Sequence, residues 1–400
     1  MLAVNLFLAL STASISQSAV DSISHHPLIH SLSINAGYDY VAPSVGDELR
    51  EKPAPEDKIS VKTALPVSLR YAFSFSDPKV RNYLPGGYQG IGAALLNLGG
   101  GDALGVRKSA RYIGYPVLAY IFQGGPFWHF NRNLWLGYEW NFGASFGWKP
   151  YSTSNKDFNL TVGSRVNAYL NLSLLLTWKV SDRFSLFGGI AVSHFSNGNT
   201  SWPNPGVNSL GFRIGGSWIL NSAKNKNETE LLPDTLKKRK PEYDISIWGA
   251  SRKRLYRGMD PPVLLPGHFA CAGISFAPMV RLNRGWRVGG SADIQWDQSS
   301  DKKRYYISGD STDNIKFGHQ SFFRQLSFGI SAHGELQMPI FAVNVGIGYN
   351  LLAPWENRGS YQNITLKTYI GSHVFLNVGY QLRNFHQQSS LMLGLGMTIW

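Results

Sequence analysis

The sequence predicts an all-β, antiparallel transmembrane barrel, and three observations carry that expectation. Segment after segment shows strict period-two alternation, the signature of a pleated strand with two unlike faces. Opposite the apolar residues sit Gly, Asn, Ser and Gln, as in Phe341, Val343, Val345, Ile347 and Tyr349 against Ala342, Asn344, Gly346, Gly348 and Asn350. Connections alternate between short and long, the habit of barrels that cross a membrane with tight turns at one end and loops at the other.

Taken in order, Met1 to about Ala19 is an apolar run followed by small residues and reads as a secretory signal peptide, although it lacks a basic start. The remainder, 20–400, is then the barrel portion. Strands are expected near 31–42, 65–76, 88–99, 112–124, 134–147, 165–178, 183–196 and 209–220. A second set lies near 243–254, 268–281, 286–297, 323–336, 340–351, 363–372, 375–383 and 390–400. These lengths suit tilted membrane-crossing strands. Val180-Ser181-Asp182, Leu282-Asn283-Arg284-Gly285 and Gln337-Met338-Pro339 are the tight turns. Loops near 43–62, 148–164, 197–208, 255–267, 298–320 and 352–362 are longer and polar. The stretch 221–242, with Lys237-Lys238-Arg239-Lys240, separates the two sets. It is short for a linker between membrane domains, so one large barrel of about 14–16 strands is favoured. The alternative is an eight-stranded barrel followed by a second β unit.

Composition narrows the class further. Net charge is +13, from 38 Lys+Arg against 25 Asp+Glu, yet no nucleic-acid-binding motif accompanies it. An anionic lipid surface accounts for the excess, as do solvated loops. No run of 18 apolar residues follows the leader, so no transmembrane helix is expected. The single cysteine, Cys271, has no partner for a disulfide, and no Cys/His spacing suggests zinc.

Chemistry concentrates in Ser193-His194-Phe195-Ser196-Asn197-Gly198, followed by Pro203-Asn204-Pro205-Gly206 and Asn208. His194 and Ser196 are two apart on a strand and so share a face. An imidazole beside a hydroxyl is the core requirement for nucleophilic ester cleavage. The face they share carries Phe184, Leu186, Ile190 and Val192, while Ser185, Gly189, Ala191 and Ser193 occupy the other. In a soluble protein that apolar side is core and His194 a satisfied core histidine. In a membrane barrel it faces lipid, and the pair opens sideways onto the end of the apolar band.

These residues resemble the PagL-type lipid A 3-O-deacylases, a family also described as acyloxyacyl hydrolases, in its longer Bacteroidota-type members. The likeness rests on His194-Phe195-Ser196-Asn197 and Pro203-Asn204-x-Gly206, with a looser match over 65–220. It implies an eight-stranded outer-membrane barrel of a Gram-negative bacterium, and a serine esterase acting on lipid A or lipopolysaccharide at the external rim. It implies Ser196 as nucleophile, His194 as general base and Asn204 as an oxyanion donor, with Asn197 and Gly198 beside the nucleophile. No metal or cofactor is required. Asn204 reads equally as a turn-former in its Pro-rich loop. The family's orienting glutamate falls at Asn208, which shares the face of the pair by parity. An amide can hold an imidazole but cannot stabilise imidazolium as a carboxylate does. Glu139 and Asp157 are the substitute carboxylates considered.

Two accessory features and one rival complete the expectations. Arg252-Lys253-Arg254 with Arg257, and Lys302-Lys303-Arg304, offer cations to lipid phosphates. Trp128, Trp135, Trp148, Trp178, Trp218 and Trp400 suit an interfacial girdle. The rival is a non-catalytic barrel, a channel or surface scaffold with a degenerate site, favoured by Asn208 and by the wide lumen that sixteen strands would enclose.

Overall fold

The computed structural model describes residues 28–43, 61–74, 86–99, 113–151, 161–221, 240–256, 263–283, 285–300, 303–306, 315–318, 321–338, 341–354, 357–370, 373–385 and 387–399. The expected signal peptide, Asp157, Lys237–Arg239, Arg257, Lys302 and Trp400 lie outside them. The chain divides into two compact units, one spanning Ile23–Leu232 and the other containing Pro233–Trp400.

The first unit is a closed antiparallel barrel of eight strands in chain order. They are β1 (Ile29–Val41), β2 (Thr63–Ser74), β3 (Tyr88–Gly99), β4 (Gly114–His129), β5 (Leu134–Trp148), β6 (Val166–Lys179), β7 (Phe184–Ser196) and β8 (Val207–Ile219). Closure runs through β1 and β8, from Ser31 opposite Ile219 to Val41 opposite Ser209. The single large barrel favoured by the shortness of the 221–242 stretch is therefore not formed. β8 returns to β1 and leaves no edge to continue into a ninth strand. The alternative, an eight-stranded barrel plus a second β unit, is what the chain adopts.

Alternation fixes the two faces. Phe212 and Ile214 are about seventy per cent exposed, at 69% and 71%, while their neighbours Ser209 and Gly211 face the lumen. An apolar outer wall over an interior of small and polar residues is the inverse of a soluble barrel. Eight strands leave an interior that side chains fill. Here Arg70 pairs with Glu139 at 2.5 Å, and Tyr88 donates to the other carboxylate oxygen at 3.0 Å. Arg213 pairs with Asp39, which also accepts from Ser209 at 3.1 Å. The wide lumen of a sixteen-stranded barrel, on which the channel reading leaned, is not formed.

Aromatic residues mark the ends. Trp128, Trp178 and Trp218 are exposed, and Trp135 is half-buried, around the end of the barrel opposite Ser196. Trp148 departs from the expected girdle. Gly147 at φ +90°, a conformation glycine adopts without a Cβ clash, breaks the alternation beside a bulge in β4. Trp148 turns inward, 2% exposed, against Phe195.

The second unit is another closed eight-stranded antiparallel barrel. Its staves are β9 (Pro241–Arg252), β12 (Phe269–Arg281), β13 (Trp286–Asp297), β16 (Leu326–Gln337), β17 (Phe341–Leu352), β18 (Gly359–Ile370), β19 (Val374–Arg383) and β20 (Gln387–Ile399). Two short hairpins, β10 (Leu255–Tyr256) with β11 (Val263–Leu264) and β14 (Lys303–Tyr306) with β15 (Ile315–Gly318), occupy its longer loops. One end of its lumen is an ion network. Arg287 reaches Asp244 at 2.6 Å and Glu335 at 3.3 Å, and Lys367 reaches the same two carboxylates at 2.7 and 2.5 Å. Removing one buried cation strands its partners, which typically destabilises by about 3–5 kcal/mol. Arg287→Ala is expected to lose that much in denaturant unfolding of the refolded protein, followed by circular dichroism.

Candidate active site

Residue by residue, the site is built at one end of the first barrel, on β7, β8 and the loop joining them. Phe195 points into the lumen, 4% exposed, stacked on Tyr169 at 5.1 Å and beside Trp148 at 5.4 Å. Anchoring Phe195 inside forces its two neighbours outward, because successive strand residues face opposite ways. His194 therefore stands at the upper limit of the outer apolar band, next to exposed Val192, and Ser196 ends the strand.

β8 supplies the imidazole's partner. His194 lies directly opposite Asn208 in the β7–β8 register. The His194 Nδ1 to Asn208 Oδ1 distance is 2.7 Å. With the amide oxygen accepting, the ring proton sits on Nδ1, and Nε2 keeps the lone pair that a general base needs. The parity expected for Asn208 is thus found in the structure. Glu139 cannot take its place. As a neighbour of outward Tyr138 and Trp140 it faces the lumen, 2% exposed, in its ion pair with Arg70.

Around Ser196 the loop closes tightly. Ser196 is 2% exposed and Asn204 9%. The Asn204 Nδ2 donates to Ser196 Oγ at 3.0 Å, and the Gly198 backbone N–H donates to the same oxygen at 3.2 Å. Asn204 Oδ1 accepts the Asn197 backbone N–H at 3.0 Å, so the side chain pins the loop as well as the hydroxyl. Asn199, at φ +63°, accepts from Asn204 Nδ2 at 3.2 Å and fixes the amide's orientation. That residue was not singled out from sequence. Its signal was the Asn-Gly-Asn run, whose members tolerate left-handed backbone. The Nδ2 of Asn197 is buried without a hydrogen-bond partner among the described residues. The turn-former and donor readings of Asn204 are therefore not exclusive, since one amide does both.

Arg252 and Arg254 both pair with Asp297 in the second barrel, Arg254 at 3.2 Å, and so are engaged within the protein.

Comparison with known families follows this geometry. The lipid A 3-O-deacylase (PagL) pattern matches residues 66–217, which hold the whole of the site, and the acyloxyacyl hydrolase C-terminal domain pattern matches 241–400. The chain belongs to the PagL-type family. Membership extends beyond the part that carries the sequence likeness. The second barrel of this PagL-type chain corresponds to a recognised C-terminal domain and not to an unrelated addition. No curated protein matches the chain in sequence. Among solved structures it overlaps the toluene transporter TbuX of Ralstonia pickettii at 8% identity, covering 93% of this chain and 87% of that one, with a TM-score of 0.17. An outer-membrane channel of Pseudomonas putida F1 gives 12% identity, 93% and 95% coverage and 0.18. The siderophore receptor PirA of Pseudomonas aeruginosa gives 8%, 93% and 80%, and 0.21. Overlaps this low bear neither on the fold nor on the site.

Proposed function

We propose that this protein is an outer-membrane serine esterase that removes an acyl chain from lipid A, with its site at the external rim. The observation that carries the reading is the His194–Asn208 contact of 2.7 Å on the outer face of the strand that also ends in Ser196. A hydroxyl and an imidazole at the edge of a lipid-facing band bring a passive barrel no benefit and carry a desolvation penalty. Family membership supports the lipid A ester as substrate.

In this reading Ser196 Oγ attacks the acyl carbonyl carbon while its proton passes to His194 Nε2. The imidazolium keeps its Nδ1 proton on Asn208. Gly198 N–H and Asn204 Nδ2, which converge on Oγ in the resting site, turn to the developing oxyanion, and Asn197 Nδ2, without a hydrogen-bond partner among the described residues, is the further donor at hand. Collapse breaks the ester C–O bond. The sugar hydroxyl leaves with the proton from His194, and the acyl group stays on Ser196. Water then attacks the acyl-serine, giving its proton to His194, and the fatty acid departs as Ser196 is restored.

The test is mass spectrometry of lipid A from cells expressing the native protein or Ser196→Ala. Loss of one acyl chain with the native protein alone is the expected result. An unchanged profile in both, with the barrel folded in the membrane, would sink the reading.

A further inference from the structure

The second barrel has a recess in its own lumen, at the end opposite the Arg287–Lys367 network. There β9 finishes at Arg252 and β13 at Asp297, and Tyr361 is the third residue of β18. Trp248, Tyr361, Gln295, Gln381, Asn350 and Asn357 line it. Its two rings lie close against backbone. Trp248 stands opposite Gly273 on β12, where a Cβ would come within 2.4 Å of the indole. Tyr361 stands opposite Gly348 on β17, where a Cβ would come within 2.3 Å of the phenol ring. Only a residue without a side chain admits either ring so closely. Backed by glycine, each ring keeps its free side for the lumen. On the shorter way round the wall β19 and β20 separate β9 from β18, so the rings belong to different sides of the recess.

Much of the remaining lining is amide. Gln381 Nε2 donates to Gln295 Oε1 at 3.3 Å, and Asn357 Nδ2 to Ser300 Oγ at 2.7 Å. Asp297 at the rim is held by Arg252 and Arg254, so its charge is met within the protein. Asn350 is the second pointer to a ligand. Its Nδ2 donates to the Asn357 backbone oxygen at 2.7 Å. Its Oδ1 has no hydrogen-bond partner among the described residues, although the residue is only 6% exposed. A buried acceptor without a donor is costly, and a bound hydroxyl would relieve it.

We propose that this recess is a saccharide-binding site, with a sugar ring laid against Trp248 and Tyr361 and a hydroxyl donating to Asn350 Oδ1. A pyranose has the matching chemistry, since its C–H faces pack on aromatic rings and its hydroxyls pair with amides. A cationic guest would meet Arg252 and Arg254 instead of a free carboxylate. An eight-stranded lumen has room for one small ligand, which limits the bound part to about one sugar unit. The site belongs to the second barrel alone and does not depend on the esterase reading.

Saturation-transfer NMR titrations of the full-length protein in detergent test this. The probes are the methyl α-glycosides of glucose and galactose, and the oligosaccharide freed from lipopolysaccharide by mild acid. Binding of the methyl glycosides marks a free sugar as sufficient, and binding of the oligosaccharide alone marks the saccharide of a surface glycolipid. Either supports the site when the variants weaken it. Trp248→Ala should raise Kd at least about tenfold by removing a packing face. Asn350→Leu should raise it about fivefold, the worth of one neutral hydrogen bond. Trp178→Ala, exposed on the outer wall of the first barrel, is the control and should leave Kd as it is. Circular dichroism checks folding, and if Trp248→Ala does not fold, Asn350→Leu decides. Native protein that binds none of the probes, or a Kd unmoved in the folded variants of Trp248 and Asn350, overturns the proposal.

Discussion

His194→Ala is expected to cut lipid A deacylation by about 10⁴–10⁶-fold, and Ser196→Ala combined with it to lose little more. A nucleophile and its base act as one unit, so removing either forfeits nearly the whole covalent pathway. The geometry makes the prediction specific. The contact of His194 Nδ1 with Asn208 leaves only Nε2 to receive the serine proton. Of the groups holding Ser196 Oγ, the Gly198 and Asn204 nitrogens are donors, and the Asn204 Oδ1 that accepts from it at 3.2 Å is an amide oxygen, too weak a base to take its proton. Initial rates on purified lipid A, with released fatty acid quantified by mass spectrometry, check it. Loss confined to a few-fold in His194→Ala would remove the imidazole from the mechanism.

The second large effect runs the other way. Asn208→Glu is expected to raise the rate, by up to about 10³-fold. Asn208 meets the imidazole through a neutral amide oxygen, which orients the ring but gives the imidazolium of the transition state no charge to lean on. In triads where an amide replaces the orienting carboxylate, the loss reaches about 10⁴-fold. The longer glutamate already has room, because Asn208 is exposed on the outer face. Steady-state kinetics of the variant beside the native protein decide it. A rate equal to or below native would mean that the amide is the group this site requires.

How much of this was legible in the sequence depends on the range of the interaction. Alternation located every barrel strand, because pleating is local. β4 runs on to His129 instead of ending near 124, since Pro126 sits at a register shift where its missing N–H breaks no ladder. Parity also placed Asn208 beside His194 and, applied strictly, puts Glu139 on the wrong side of the wall. Closure was not legible. Whether β8 pairs with β1 or with a ninth strand is decided by hydrogen bonds between residues nearly the whole unit apart, such as Ser31 and Ile219, and no periodicity records that. The loop contacts of Asn204 and the inward turn of Trp148 were hidden for a related reason. Both depend on backbone angles in the left-handed region, at Asn199 and Gly147.

The seam between β1 and β8 gives the chemistry an order in time. The strand that completes the barrel is the same one that brings Asn208 to His194, and the segment leading into it carries Asn204 to Ser196. In the proposed mechanism β7 supplies the nucleophile and the base, while the residues that aim them come from β8 and the segment before it. On the esterase reading, the groups that orient the nucleophile and the base are thus in place only once β8 has closed the barrel.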